Sequence, residues 1–278
     1  MEFHRSARSL GLTALLLFFA RSAPAQPVVG VLGISREIAP IERRLQDTRE
    51  VSIRGYVFRV GKLDGRSIVV GRSGAGKVNA AIVTTLLIDE FKPRVVLFTG
   101  TAGAVDPALR PGDVVIGAKV AQHDVGLQAT DGIRLRGLRN AVTGDLDPLL
   151  VPAPEALLSL ARRSAKDMHL PAIRTDSGED HVPHIVEGVI VTGDVFLSDA
   201  TRRETLRSTL SATAIEMEGA AVIQTCRQFS VSCLVVRGIT DRADDQAMTS
   251  YERFLAIASE HAATLVAAII AGLKEIVP

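Results

Sequence analysis

The sequence predicts an α/β fold: a single domain on a mixed, mostly parallel central sheet flanked by helices on both faces. Three observations carry that expectation. Apolar runs at Val28 to Ile34, Arg94 to Thr99 and Cys233 to Val236 read as strands buried on both faces. Segments with helical spacing separate them, and strands alternating with helices argue for parallel pairing under two helical layers. Glycine-rich turns follow two strands, at Gly71 to Gly76 and Thr99 to Ala104, on the side where open α/β sheets bind ligands.

The first 25 residues read as a leader rather than as fold. Arg5 and Arg8 form a basic start, Leu10 to Ala20 is apolar but too short to span a bilayer, and Ala23-Pro24-Ala25 is an A-x-A cleavage site. The expectation is a cleaved signal peptide over 1–25, an exported (periplasmic or secreted) mature domain over 26–278, and no membrane association once the leader is gone. The remainder, 278 − 25 = 253 residues, suffices for one sizeable domain.

Along that domain, Val28 to Ile34 is the first strand, and Glu37 to Leu45 has helical spacing with Ile38, Ile41 and Leu45 on one side. Tyr56 to Leu63 and Ser67 to Gly71 form a hairpin about Asp64-Gly65, a strong turn dipeptide. Lys77 to Phe91 is a helix with an apolar stripe at Val78, Ala81, Ile82 and Leu86; strands follow at Arg94 to Thr99 and Asp113 to Ala121. Pro154 to Met168 is a helix with proline near its start, Val186 to Thr192 a strand, and Asp199 to Leu210 a helix with Asp199 as N-cap. Ala214 to Asp244 is strand, helix, strand, with Glu218 and Asp241 at strand ends. Ser250 to Leu273 closes the chain, Phe254, Ala258, Leu265 and Ile269 sharing a face. Gly126 to Val151 and Thr175 to His184 have no clear period and read as rim insertions.

Composition narrows the partners. A net charge of +1 without long runs of like charge argues against nucleic-acid binding. Cys226 and Cys233 could pair in an oxidising compartment, but both sit in apolar runs and few residues separate them, so two buried thiols are expected. His181 and His184 lie near Glu179 and Asp180, yet no third ligand has fixed spacing, so no metal site is assigned. Gly71 to Lys77 matches G-x-x-x-x-G-K, but Val78 stands where a magnesium-holding Ser or Thr belongs. A P-loop ATPase is therefore rejected. A tight turn at a helix N-terminus, able to approach a ligand closely, remains.

SGAGKVNAA, FTGTAGAV, PGDVV, TGDVFL, IEMEGAAV and VVRGITDRAD occur in this order over about Val28 to Ile270. Together they resemble the nucleoside phosphorylase superfamily, and most closely its 5′-methylthioadenosine/S-adenosylhomocysteine nucleosidase branch. The resemblance implies a purine-nucleoside N-ribohydrolase that releases adenine from a small nucleoside, needs no cofactor, and forms a homodimer in which a loop after the Gly-Asp-Val-Val strand reaches the neighbour's pocket. It implies that Glu218 holds the ribose hydroxyls while Met217 packs on the sugar. Asp241 would protonate the purine N7, Phe196 would stack on the base, and the backbone at Phe196 and Leu197 would read the base edge. Thr101, Ala102 and Gly103 would line the sugar pocket, Arg237 would orient the attacking water, and Tyr251 would face the 5′ substituent.

These residue types suit the chemistry. Breaking an N-glycosidic bond develops positive charge on the sugar and negative charge on the base, so one acid must hold a proton near the base and another group must support the sugar and water. Two positions depart from the family pattern. Ungapped, Ile38 takes the place of the water-activating glutamate; a one-residue deletion puts Glu37 there, and Glu37 is assigned as the water base. Ser35 replaces a methionine, which would make the 5′ pocket more polar. A phosphate-dependent phosphorylase would carry Arg two residues before Gly100, where this chain has Phe98, so water is the expected nucleophile. A non-catalytic nucleoside-binding or storage-type protein is the other alternative, and Glu218, Asp241 and Glu37 argue against it.

Overall fold

The computed structural model describes residues 29–130, 132–175 and 178–273. The proposed leader lies outside them. The chain runs β1 (Val29–Gly33), α1 (Ala39–Arg44), β2 (Gln46–Ile53), β3 (Tyr56–Leu63), β4 (Arg66–Arg72), α2 (Lys77–Phe91), β5 (Val95–Ala104) and β6 (Val114–Gln122). Then come β7 (Gly126–Ala129), β8 (Gly132–Leu135), β9 (Val151–Pro152), α3 (Glu155–Ala165), β10 (Ile173–Arg174), β11 (Asp180–His181) and β12 (Ile185–Thr192). The last elements are α4 (Ala200–Leu210), β13 (Ala212–Glu216), α5 (Gly219–Gln228), β14 (Ser232–Asp241) and α6 (Ala247–Gly272).

The main sheet is ordered β13-β12-β6-β14-β5-β1-β4-β3-β2. Its centre is parallel: β1 pairs with β4 and β5, β5 with β14, and β12 with β6 and β13. The sheet also curls until β13 meets β5 antiparallel, which closes β13, β12, β6, β14 and β5 into a ring. Sequence periodicity contains no sign of that closure. One core layer packs α3 and α6 against the sheet through Leu157, Ala161, Ala262, Val266 and Ile269. The other packs α2 and α5 through Val83, Leu87, Val222 and Ile223. α6 has the length and apolar composition to cross a membrane, but Phe254, Ala258, Leu265 and Ile269 are buried within this fold. It lies so close to β14 that a Cβ on Gly238 would stand 2.1 Å from the Ala258 carbonyl oxygen.

Several elements differ from expectation. The Asp64-Gly65 turn is present, both residues at positive φ (50° and 77°), but the hairpin gains a third strand, β2, whose charged sequence masks it. The glycine-rich segment after Thr99 is not a turn. It is the second half of β5, paired with β14 as far as Gly103. On α2 the buried face is Ala80, Val83, Leu87 and Phe91; Val78 and Ile82 of the expected stripe are 69% and 39% exposed. The helix is apolar on two sides, so its burial cannot be read from the stripe alone. Asp199 caps α4 through the backbone N–H groups of Thr201 and Arg202. The segment 126–151 forms the β7–β8 hairpin and ends in β9, which pairs with β6. The 175–184 loop is anchored where His181 Nε2 meets Asp113 Oδ1 at 2.7 Å.

Cys226 and Cys233 form a disulfide between α5 and β14, contrary to the expectation of free thiols. Residues so near in sequence can be brought together because the chain reverses between the helix end and the strand start; their Cα atoms are 6.2 Å apart.

Candidate active site

The carboxyl ends of β1, β5, β12, β13 and β14 converge on one cleft of about 690 Å³, open mouth included. Its wall includes Glu37, Thr101, Ala102 and Gly103, then Phe196 and Leu197, then Met217, Glu218, Asp241 and Tyr251. A nucleoside-sized ligand fits a cleft of this size.

Glu37 stands in the turn between β1 and α1, where the Glu37 and Ile38 amides both donate to the Ile34 carbonyl at 2.9 Å. This turn directs Glu37 into the cleft and Ile38 into the core. Glu37 is 5% exposed; Oε1 accepts from the Thr101 hydroxyl at 2.6 Å and Oε2 from the Thr101 amide at 3.1 Å. Burial is the largest influence on its pKa and raises it, outweighing the Thr101 bonds and the Arg237 charge. Gly100 permits the close approach: a Cβ there would lie 2.5 Å from Glu37 Oε2.

Asp241 ends β14 and is 2% exposed. Oδ1 accepts from the Ala243 amide at 2.9 Å and Oδ2 from the Thr240 hydroxyl at 2.7 Å. Burial again dominates and raises its pKa. Glu218 precedes α5, and its Oε1 accepts from the Gly76 amide at 2.7 Å. Its pKa is pushed up to about 8, first by burial and then by the neighbouring charge of Glu216. Three carboxyl groups whose pKa values are raised by burial thus face one cavity, an arrangement suited to proton transfer.

The first amides of α2 are occupied by protein carboxylates: Gly76 N–H by Glu218, and Lys77 N–H by Asp194 Oδ1 at 2.8 Å. The P-loop-like turn is therefore an anion site filled from within the chain. Phe196 and Tyr251 meet edge to face, ring centroids 5.7 Å apart, and supply aromatic surface to the wall. Burial raises the Tyr251 hydroxyl pKa to about 12.

Two expectations need correction. Arg237 is not in the cavity wall. It is 1% exposed, lies behind Gly100, stacks 4.0 Å over the Phe98 ring and donates to Glu216 Oε2 at 2.6 Å. Its influence on a bound water would pass through that layer. Ser35 does not line the cleft either; Ile34 does, so this part of the wall is apolar. Sequence reasoning missed Ala75, Val195, Ile215, Thr240 and Glu216 in the wall. Ala75 lies in the Gly71–Gly76 turn, and Glu216 is the first acid of Glu216-Met217-Glu218; both signals were available.

The sequence and the fold are similar to those of known proteins. The phosphorylase superfamily pattern matches residues 27–271. The 5′-methylthioadenosine/S-adenosylhomocysteine nucleosidase of Geobacillus kaustophilus is 36% identical over 249 residues, 89% of this chain and 97% of that protein. The protein of the same name from Psychromonas ingrahamii is 35% identical, covering 88% and 99%. Among solved structures, the futalosine hydrolase of Helicobacter pylori superposes with a TM-score of 0.73 at 32% identity, covering 87% of this chain and 97% of that one. The Neisseria meningitidis 5′-methylthioadenosine/S-adenosylhomocysteine nucleosidase in complex with methylthio-immucillin-A gives 0.73 at 31%, with the same coverage.

Proposed function

The chain belongs to the phosphorylase superfamily, and from that premise we propose that it is a purine-nucleoside N-ribohydrolase acting on adenine nucleosides with a 5′-thio or 5′-deoxy group. The observation that carries the reading is the convergence of Glu37, Glu218 and Asp241 on one cleft. Asp241, whose pKa burial raises, donates a proton to the purine N7 as the bond to the sugar breaks. Glu218 holds the ribose hydroxyls, with Met217 against the sugar. Glu37 takes a proton from the attacking water, and Thr101 fixes both of its oxygens. Phe196 stacks on the base, and the Phe196–Leu197 backbone reads its edge. Ile34 and Tyr251 offer an apolar wall to the 5′ substituent.

Water rather than phosphate is the nucleophile in this reading. A phosphate needs several donors together, whereas the α2 amides serve Glu218 and Asp194, and Phe98 occupies the place of the phosphorylase arginine. A non-catalytic binder would gain nothing from three carboxyl groups desolvated around one cleft.

The reading extends to location and assembly. The basic-apolar-AxA order of residues 1–25 and the Cys226–Cys233 disulfide support export to an oxidising compartment. Exposed Val78 and Ile82 on α2, with Leu127, Val142 and Leu146 on the 126–151 segment, support an apolar isologous interface with a second copy. The functional test is adenine release from 5′-methylthioadenosine, adenosylhomocysteine, adenosine and futalosine, with inosine as a base control. Preference for the first two is expected; turnover of futalosine alone would reassign the 5′ specificity, and turnover of none would overturn the enzyme.

A further inference from the structure

Glu216 ends β13 and is buried at the meeting point of three parts of the cleft. It accepts from the Glu218 amide at 3.1 Å and from the Gly219 amide at 2.9 and 2.7 Å, so its carboxylate caps α5 and fixes the main chain that carries Glu218. Oε2 also accepts from Arg237 Nη2 at 2.6 Å. Oε1 accepts from the Thr192 hydroxyl, and the Glu216 carbonyl accepts from the Gly193 amide at 3.1 Å, at the root of the loop that carries Phe196.

Among the described residues, Glu216 is the only carboxylate in ion-pair contact with Arg237. A guanidinium this deeply buried requires a counter-charge. Arg237 has few alternatives: Nη1 donates to the Phe98 and Val236 carbonyls at 3.2 Å, and Phe98 covers its face. Arg237 in turn lies beside Gly100, across which Glu37 sits.

We propose that Glu216 is a positioning residue of the N-ribohydrolase, holding Glu218, the Arg237 guanidinium behind Glu37, and the root of the base-binding loop in one register. The inference rests on the hydrolase reading above. Its electrostatic consequence has a definite sign. The charged groups facing one another here are Glu37 from the β1–α1 turn, Glu216 and Glu218 around the start of α5, and Arg237 from β14. Glu216 raises the pKa of both Glu37 and Glu218, whereas Arg237 lowers both. Removing the Glu216 charge while Arg237 remains therefore moves both carboxyl groups down.

The test measures kcat, KM and the pH–rate profile of the full chain on 5′-methylthioadenosine, with thermal midpoints, for Glu216→Gln and Glu216→Asp. Glu216→Gln should lose about 10²-fold in kcat, the scale of a displacement of about 1 Å at a reacting group. Its acidic limb, set by the water base, should move to lower pH. Glu216→Asp keeps the charge; it should keep the wild-type acidic limb and recover part of kcat. A loss of folded stability alone would move neither limb. Glu216→Gln with kcat within about threefold of wild type and an unmoved limb overturns the proposal and leaves a helix cap. If the Gln variant does not fold, Glu216→Asp decides: a tenfold or greater loss of kcat at an unchanged midpoint supports the proposal, and wild-type kcat overturns it. A wild-type chain that releases no adenine sinks the hydrolase reading instead.

Discussion

Replacing Glu37 with Gln separates catalysis from architecture at one atom pair. The carboxylate accepts two bonds from Thr101, one from its hydroxyl at 2.6 Å and one from its amide at 3.1 Å. An amide side chain of nearly the same shape can keep both: its oxygen accepts from the Thr101 N–H, and its NH₂ donates to the Thr101 hydroxyl, which rotates to accept. The fold therefore loses little, while the base is gone. General base contributions of about 10²–10⁴-fold correspond to about 3–5 kcal/mol of transition-state stabilisation, which is the expected loss in kcat. Stability supplies an independent check. The folded-state pKa of Glu37 is raised, so the folded chain binds more protons than the unfolded chain between the two pKa values. Stability therefore falls as pH rises from the ordinary carboxylate range through the folded-state pKa. Glu37→Gln should remove that part of the pH dependence and gain thermal midpoint relative to wild type on the alkaline side. Adenine release followed by absorbance, with melting curves at acidic and alkaline pH, measures both. A variant with near wild-type turnover would show that another group activates water.

Other consequences follow from the same structure. Asp241→Asn should cost about 10²–10⁴-fold in turnover with a much smaller effect on substrate binding; turnover within a few-fold of wild type would make Asp241 only the partner of Thr240 and Ala243. Gly100→Ala puts a Cβ 2.5 Å from Glu37 Oε2, so activity should fall sharply while Glu37→Gln activity falls little further; additive losses would separate the two sites. Cys226→Ser opens a loop of sequence separation 7 and should cost about 2–3 kcal/mol by chain entropy, with activity retained well below the new midpoint; an unchanged midpoint would show that the bridge does not form in the isolated protein. Val78→Lys with Ile82→Lys should turn a dimer into a monomer by light scattering, and a wild-type monomer at micromolar concentration with full activity would refute the assembly.

Acids near strand ends point to the ligand side of the sheet, but their roles in the site come from the family resemblance, since a helix first-turn acid and a turn cap look the same locally. Glu218 stands three residues beyond Ile215 and Asp241 five beyond Val236, each just past a short apolar run, and both line the cleft. The choice of Glu37 over Ile38 rests on a one-residue deletion relative to the family pattern; in the structure the Ile34 carbonyl organises the turn, Glu37 faces the cleft and Ile38 enters the core. What escapes is what depends on distant partners. β2 is an edge strand whose first five residues are polar or charged, so no sustained alternation announces it. The closure of β13 onto β5 and the two-sided burial of α2 are set by tertiary pairing. Cys226 and Cys233 look like inert core residues because the bridge itself is buried. The family resemblance implies that Arg237 orients the attacking water, yet Glu216 and Phe98 hold it one layer behind the wall.

The central claim is that water, activated in this cleft, breaks the N-glycosidic bond. Turnover of 5′-methylthioadenosine in ¹⁸O-labelled water with inorganic phosphate present, read by mass spectrometry of the sugar product, tests it most directly. The expected product is free 5-methylthioribose carrying one labelled oxygen at its anomeric carbon, formed at a rate independent of phosphate. A sugar 1-phosphate as the main product, formed in proportion to the phosphate supplied, would contradict it.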